Sequence, residues 1–234
     1  MLLSLPAARN GIPAISAGRK TGAIAVIVRE RMATPIRRFL VVGCGSGAEA
    51  ATLARALGGA GVGIDLKTAF DPAAARAVDL RRGDATGLEF GDEEFDFVYS
   101  YHVLEHIPHY MKALAEMHRV LRPGGAYLVG TPNRARLVGY LGSSGVSFRD
   151  KLAWNLADWK ARLRGRFRNE LGAHAGFTSA ELRGALAKVF GKPEEISSRY
   201  YLDVYRRHAW LVKFLVQSGL SRFFFPSVYF MGVK

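Results

Sequence analysis

The sequence predicts a doubly wound α/β domain on a mostly parallel, seven-stranded sheet. Three observations carry this reading. Short apolar runs of strand type recur at residues 39–42, 61–65, 95–99 and 126–130. Helix-spaced segments stand between them, and glycine or proline marks the turns. Such alternation implies βαβ units and parallel pairing.

The elements follow in order. Phe39-Leu40-Val41-Val42 is a continuous apolar run, as expected of a strand covered on both faces. Residues 48–57 are alanine-rich with helical spacing, and 61–65 form a second strand that ends in an acid. Residues 72–78 read as a short helix, and the charged stretch 80–83 as an edge strand. Residues 95–99 give a fourth strand. In 110–121, Met111, Leu114, Met117, Val120 and Leu121 share one helical face, and Arg122-Pro123-Gly124-Gly125 stops that helix. Residues 126–130 give a fifth strand. Further on, 178–189 read as a helix capped by Thr178 or Ser179 with Glu181 near its start. Residues 196–202 and 228–233 read as closing strands, with a helix over 205–217 between them.

Between these parts lies a basic insertion. Phe148, Leu152, Leu156, Trp159, Leu163 and Phe167 fall on one helical face, with Arg149, Lys151, Lys160, Arg162, Arg164, Arg166 and Arg168 around them. Two readings are open. The segment is a substrate lid or membrane-surface helix, or it packs its apolar face on the domain and leaves a solvated basic face. The chain then divides into an N-terminal extension (1–37), a core (38–133), the insertion or lid (134–176) and the remainder of the same α/β domain (177–234).

The chain has 234 residues, 49% of them hydrophobic, with a formal net charge of +13. That hydrophobic content excludes a disordered chain. The charge favours polyanionic partners: nucleic acid, anionic lipid or an acidic substrate. A single cysteine, Cys44, excludes a disulfide framework within the chain. No apolar stretch is long enough to span a membrane as a helix. Residues 1–38 set seven basic side chains against one acid, Glu30, a composition that resembles a transit peptide. The alternatives are a loose extension, or a true start at Met32. A cytoplasmic protein, peripheral to a membrane if the insertion binds one, is the expectation.

The chemistry gathers at the carboxyl ends of the strands, where open α/β sheets bind ligands. Gly43-Cys44-Gly45-Ser46-Gly47 follows the first strand and opens a helix, so its backbone can approach a ligand closely. Asp65 lies twenty residues beyond Gly45 and can accept hydrogen bonds from both hydroxyls of a ribose. Asp84 can receive the exocyclic amine of an adenine, and Ala85 can supply a backbone donor. Taken in order, these segments, Phe95-Asp96-Phe97-Val98 and Arg119-Val120-Leu121-Arg122-Pro123-Gly124-Gly125 resemble the successive motifs of class I S-adenosylmethionine-dependent methyltransferases. Leu104-Glu105-His106-Ile107 is similar to the type 11 branch that includes ubiquinone and menaquinone biosynthesis enzymes.

The resemblance implies a Rossmann-like methyltransferase fold, S-adenosyl-L-methionine as cofactor, and a role for each motif residue. Gly43, Gly45 and Gly47 would wrap the methionine part, Asp65 the ribose, and Asp84 with Ala85 the adenine. Tyr101 and His102 would border the sulfonium, and Cys44 and Leu66 complete the cofactor set. One departure stands out. The family often places an acid two residues before this turn, and positions 41 and 42 are both valine. The cofactor's amino group then needs another acceptor, such as a backbone carbonyl.

An oxygen acceptor would need a general base near neutral pH. His102, His174 and His106 are the candidates, His102 first; His106 starts a helix and reads first as a capping or packing residue. A metal site from Glu105, His106 and His109 has poor spacing, so no metal is expected. The favoured acceptor is a small molecule, aromatic or lipid-like, with an anionic membrane surface as an added contact. An RNA methyltransferase and an inactive methyltransferase-like binding protein are the alternatives, nucleic acid being less favoured for want of a recognisable RNA-binding module. A nicotinamide dehydrogenase fits worst, because its turn usually reads GxGxxG.

Overall fold

The computed structural model describes residues 14–140, 145–171 and 174–234. Along the chain run α1 (Ala14–Arg31), β1 (Arg38–Val42), α2 (Ala48–Leu57), β2 (Ala60–Asp65), α3 (Pro72–Ala75), β3 (Asp79–Arg82) and β4 (Phe95–Tyr101). They are followed by α4 (Tyr110–Val120), β5 (Leu121–Pro132), α5 (Phe148–Leu163), α6 (Ser179–Phe190), β6 (Glu194–Glu195), α7 (Ser197–Val204), α8 (Ala209–Gln217), α9 (Ser221–Phe224) and β7 (Ser227–Val233).

The seven strands form one sheet in the order β3-β2-β1-β4-β5-β7-β6. Neighbours from β3 to β5 are parallel, and β7 runs antiparallel between β5 and β6. Successive β1 side chains point to opposite faces. Phe39 and Val41 join the core under α1, α2 and α7, whereas Leu40 and Val42 join the core under α4 and α6. That two-sided burial is why the strand reads as an unbroken apolar run. The buried carboxylate of Asp96 on β4 accepts the backbone N–H groups of Arg37 and Arg38 at 2.6 and 2.8 Å and pairs with Arg122, which ties the amino ends of β1 and β4 together.

Capping follows the sequence closely in two places. Asp71 accepts from the backbone of Ala73 and Ala74, with Pro72 at the first helical position of α3. Thr178 and Glu181 form a reciprocal capping box at α6.

Three sequence expectations are corrected. Residues 196–202 are not a strand. Ile196, Tyr200, Tyr201 and Val204 are buried at helical spacing, so the segment forms α7, and the sixth strand shrinks to Glu194–Glu195. The aromatic pair suggested β structure, and burial of a helical stripe overrode it. The loose reading of the N-terminus fails over α1, where Ile24, Ile27 and Val28 form an apolar stripe packed on α2 and α7. Salt bridges from Arg31 to Glu194 and from Arg199 to Glu30 border that contact. The helix expected over 205–217 begins with a 3-10 turn, Arg206–His208, before α8.

Candidate functional site

The turn after β1 is held by β2. The backbone N–H groups of Gly43 and Cys44 both donate to the Ile64 carbonyl, at 2.8 and 2.9 Å. Gly43, Gly45 and Gly47 have φ of 74, 55 and 84°, a region that L side chains rarely adopt. Their reasons differ. A Cβ at Gly43 would strike Val103, and one at Gly47 would strike Leu80, so both are fixed by packing. A Cβ at Gly45 would meet nothing within 4 Å; its side opens to space. Cys44 is buried, and its thiol is pushed up to about 12 by burial and the nearby Asp65 charge, so it stays protonated and is no nucleophile.

Asp65 ends β2, where its Oδ2 accepts the Gly45 N–H at 2.9 Å and its Oδ1 the Lys67 N–H at 3.0 Å. The carboxylate therefore sits against the open glycine of the turn. The neighbouring Leu66 is 65% exposed, which leaves its apolar side chain available to a ligand. Beyond β3, Asp84 accepts from the backbone and hydroxyl of Thr86, which hold its carboxyl below the usual range. Ala85 is buried in the core. A shallow recess lined by Ile64, Gly83, Asp84, Leu88 and Phe90 lies at this edge.

At the end of β4, Tyr101 and His102 are brought together with β7. The Tyr101 ring stacks on Tyr229 with centroids 5.4 Å apart, and its hydroxyl lies 3.4 Å from Ser227 Oγ. His102 Nε2 lies 3.1 Å from the same Ser227 Oγ, and its backbone is held at φ 56° by a bond to the Gly130 carbonyl. Burial, reinforced by the positive charge of Arg136, pushes the imidazole down to about 3, so His102 is neutral at physiological pH. His174 is exposed and packs edge-on against His106 at 4.7 Å between ring centroids.

Three further features escape the sequence reading, and a fourth, Glu105, is weighed there only as a metal ligand. Glu49, on the first turn of α2, accepts from the Tyr99 hydroxyl at 3.0 Å and the Thr21 hydroxyl at 3.3 Å. Burial raises its carboxyl, opposed by those bonds and by Lys20. Lys20, on α1, is lowered by burial, with Glu49 opposing and Lys151 of α5 adding to the shift. Glu105 is buried, and neither carboxylate oxygen has a hydrogen-bond partner among the described residues; burial raises it to about 7. The buried guanidinium of Arg136 donates to the carbonyls of Asn133, His174 and Ala175 and pairs with Asp158 of α5 at 3.3 Å. An acid just after a glycine turn was a usable signal for Glu49. The other three depend on tertiary burial, which no local pattern reports.

Comparison with known proteins agrees with this architecture. Residues 40–129 match the family model of a methyltransferase domain. The chain is 42% identical over 104 residues to a phthiotriol/phenolphthiotriol dimycocerosates methyltransferase of Mycobacterium ulcerans, covering 42% of this chain and 38% of that protein. The corresponding protein of Mycobacterium tuberculosis is 39% identical over 97 residues, covering 39% and 36%. The chain thus matches well under half the length of these relatives. Among solved structures, the [4+2]-cyclase SpnF superposes with a TM-score of 0.53 at 20% identity, covering 90% of this chain and 78% of that one. A Haemonchus contortus phosphoethanolamine N-methyltransferase 2 bound to S-adenosyl-L-methionine gives 0.54 at 20% identity, covering 90% and 52%. These likenesses establish the fold; a cyclase among them shows that the fold alone does not fix the reaction.

Proposed function

We propose that this chain, whose residues 40–129 match the family model of a methyltransferase domain, moves a methyl group from S-adenosyl-L-methionine to a lipid-like acceptor. The observation that carries the reading is the Gly43–Gly47 turn, with Gly45 open to space and the Asp65 carboxylate bonded to its N–H. Such a cradle fits a nucleoside joined to an amino acid. When bound, the cofactor supplies a methyl group activated by its sulfonium charge.

The chain's own task is alignment and exclusion of water, which supply on the order of 7–11 kcal/mol. Gly43, Gly45 and Gly47 hold the methionine part. Glu49 accepts its ammonium, replacing the acid that positions 41 and 42 lack, and Lys20 faces its carboxylate. Asp65 takes the ribose hydroxyls, Leu66 covers the base, and Asp84 and Ala85 fix its amine edge. Tyr101 and His102 border the reacting end. An imidazole pushed down to about 3 is a weak proton acceptor, so His102 orients rather than deprotonates. Glu105, raised to about 7, is matched to proton transfer from a hydroxyl near neutral pH, with His106 beside it and His174 packed on His106.

The acceptor class rests on the matched relatives, named for phthiotriol dimycocerosates, and on the apolar surface of α5. No helix among the described residues is long and apolar enough to cross a membrane. The test is calorimetry with S-adenosylhomocysteine, then transfer of labelled methyl to hydroxylated lipids, quinones and RNA. Binding followed by lipid labelling supports the reading. No binding by folded protein, or label on RNA alone, overturns it.

A further inference from the structure

Helix α5 is inverted. A helix on the surface of a domain ordinarily turns its apolar stripe inward. Here the inward contacts are mostly polar, Trp154 against the Tyr140 ring at 5.1 Å between centroids being the aromatic one. Asn155 exchanges hydrogen bonds with the Gly139 backbone at 2.6 and 3.2 Å, Asp158 pairs with Arg136, and Arg162 donates to the Arg136 carbonyl at 2.8 Å. No residue of the helix is buried.

Phe148, Leu152, Leu156, Trp159 and Leu163 occupy one arc of about 80°, at about 100° per residue; Phe167, expected on the same face, lies beyond the end of α5 and is buried. All five face solvent, from 47% exposed at Trp159 to 90% at Leu163. The Trp159 indole N–H is satisfied by the Leu137 carbonyl at 2.6 Å, so the ring presents a face with no unmet donor. Arg149, Lys160 and Arg164 border the stripe at about 100–160° round the helix and are exposed. The two acids of α5 lie elsewhere: Asp158 faces Arg136, and Asp150 bonds to Ser147.

We propose that this face of α5 docks on an anionic lipid surface, with the apolar stripe at the boundary of headgroups and acyl chains and the basic rim on lipid phosphates. The pairing of an apolar stripe with a rim of one sign is what an interfacial helix requires. A second copy would set like charges against the rim. A nucleic acid would satisfy the arginines but leave Leu152, Leu156 and Leu163 in water. Arg136 joins α5 to the His174 carbonyl and stands close enough to depress His102, so docking brings the rim of the site to the surface. This deepens the reading of a lipid-like acceptor and rests on it for its purpose.

The test is flotation of the full chain with vesicles of mixed phosphatidylglycerol and phosphatidylcholine, against phosphatidylcholine alone. Wild type is expected to float with the mixed vesicles and little with the neutral ones. Leu152→Asp with Leu156→Asp should lower partition about tenfold or more. Lys160→Glu with Arg164→Glu should remove the preference for anionic lipid. These side chains are exposed, and unchanged affinity for S-adenosylhomocysteine reports that each variant is folded. Wild type that ignores anionic vesicles overturns the docking, as do variants that bind like wild type. So does sedimentation showing a dimer that the leucine variant dissolves without any vesicle binding. Vesicle flotation and cofactor calorimetry are read separately, so loss of the first overturns docking and loss of the second overturns methyl transfer.

Discussion

The hydroxyl of Tyr99 on β4 lies 3.0 Å from Oε1 of Glu49 on the first turn of α2. The bond fixes a carboxylate two residues beyond the glycine turn against β4. Thr21 of α1 reaches the same oxygen. The N-terminal helix is thereby part of the candidate site and not an appendage to it.

Glu49→Gln should test the assignment of the cofactor's ammonium. The amide keeps the shape and the Tyr99 bond but removes the charge. Affinity for S-adenosylhomocysteine should fall by about 1–3 kcal/mol, about tenfold or more in Kd. Asp65→Ala should cost about the same from the ribose end. Calorimetry that finds the Glu49 variant as tight as wild type removes Glu49 from the site.

Gly45→Arg separates ligand space from folding. Its Cβ would meet no atom within 4 Å, so the fold tolerates it apart from the cost of a non-glycine residue at φ 55°, about 1 kcal/mol. The arginine would fill the space that the proposal gives to the methionine part. Circular dichroism should show a folded protein, and calorimetry should show no S-adenosylhomocysteine binding. Retained affinity would move the site elsewhere.

The parallel sheet and its turn were legible because their signals are local and periodic: an apolar run, a glycine cluster, an acid at a strand end. Asp65 beside Gly45 was predictable from spacing, and its bond to the Gly45 N–H is what that spacing permits. The rest depends on tertiary context. Helix α7 was hidden by two tyrosines with strand propensity, and α1 by charge, which masked the stripe of Ile24, Ile27 and Val28. The stripe of α5 was visible, but amphipathicity alone cannot say which side faces the domain. Arg136 and Asn155 decide that, because their partners, Asp158 and the Gly139 backbone, lie on the inward side.

Arg136→Ala should release that side. The guanidinium satisfies three carbonyls and pairs with Asp158, whose carboxyl is raised by burial despite the pairing. Truncation leaves these acceptors without their donor, at a cost of about 3 kcal/mol. Limited proteolysis should cleave around α5 faster in the variant, while the sheet resists. Equal cleavage rates would show that Arg136 does not hold the insertion.

Glu105 gives a pH signature of definite sign. Its folded carboxyl is raised from 4.5 to about 7 by burial, with a side chain 1% exposed. Between these values the folded protein binds more protons at this group than the unfolded chain does. Its contribution to stability therefore falls as pH rises from about 4.5 to 7 and is flat outside that window, a loss of about 3 kcal/mol at most. His102, lowered from 6.5 to about 3, has the opposite slope: its contribution is lost as pH falls from about 6.5 towards 3. The two overlap in wild type, so the variant must separate them. Glu105→Gln removes the first slope and keeps the second. Chemical denaturation should show the variant gaining on wild type from pH 5 to pH 8, and the rate of methyl transfer to a hydroxyl acceptor should lose its rise near neutral pH. If the stability difference stays constant across that range, Glu105 does not titrate there and cannot be the base.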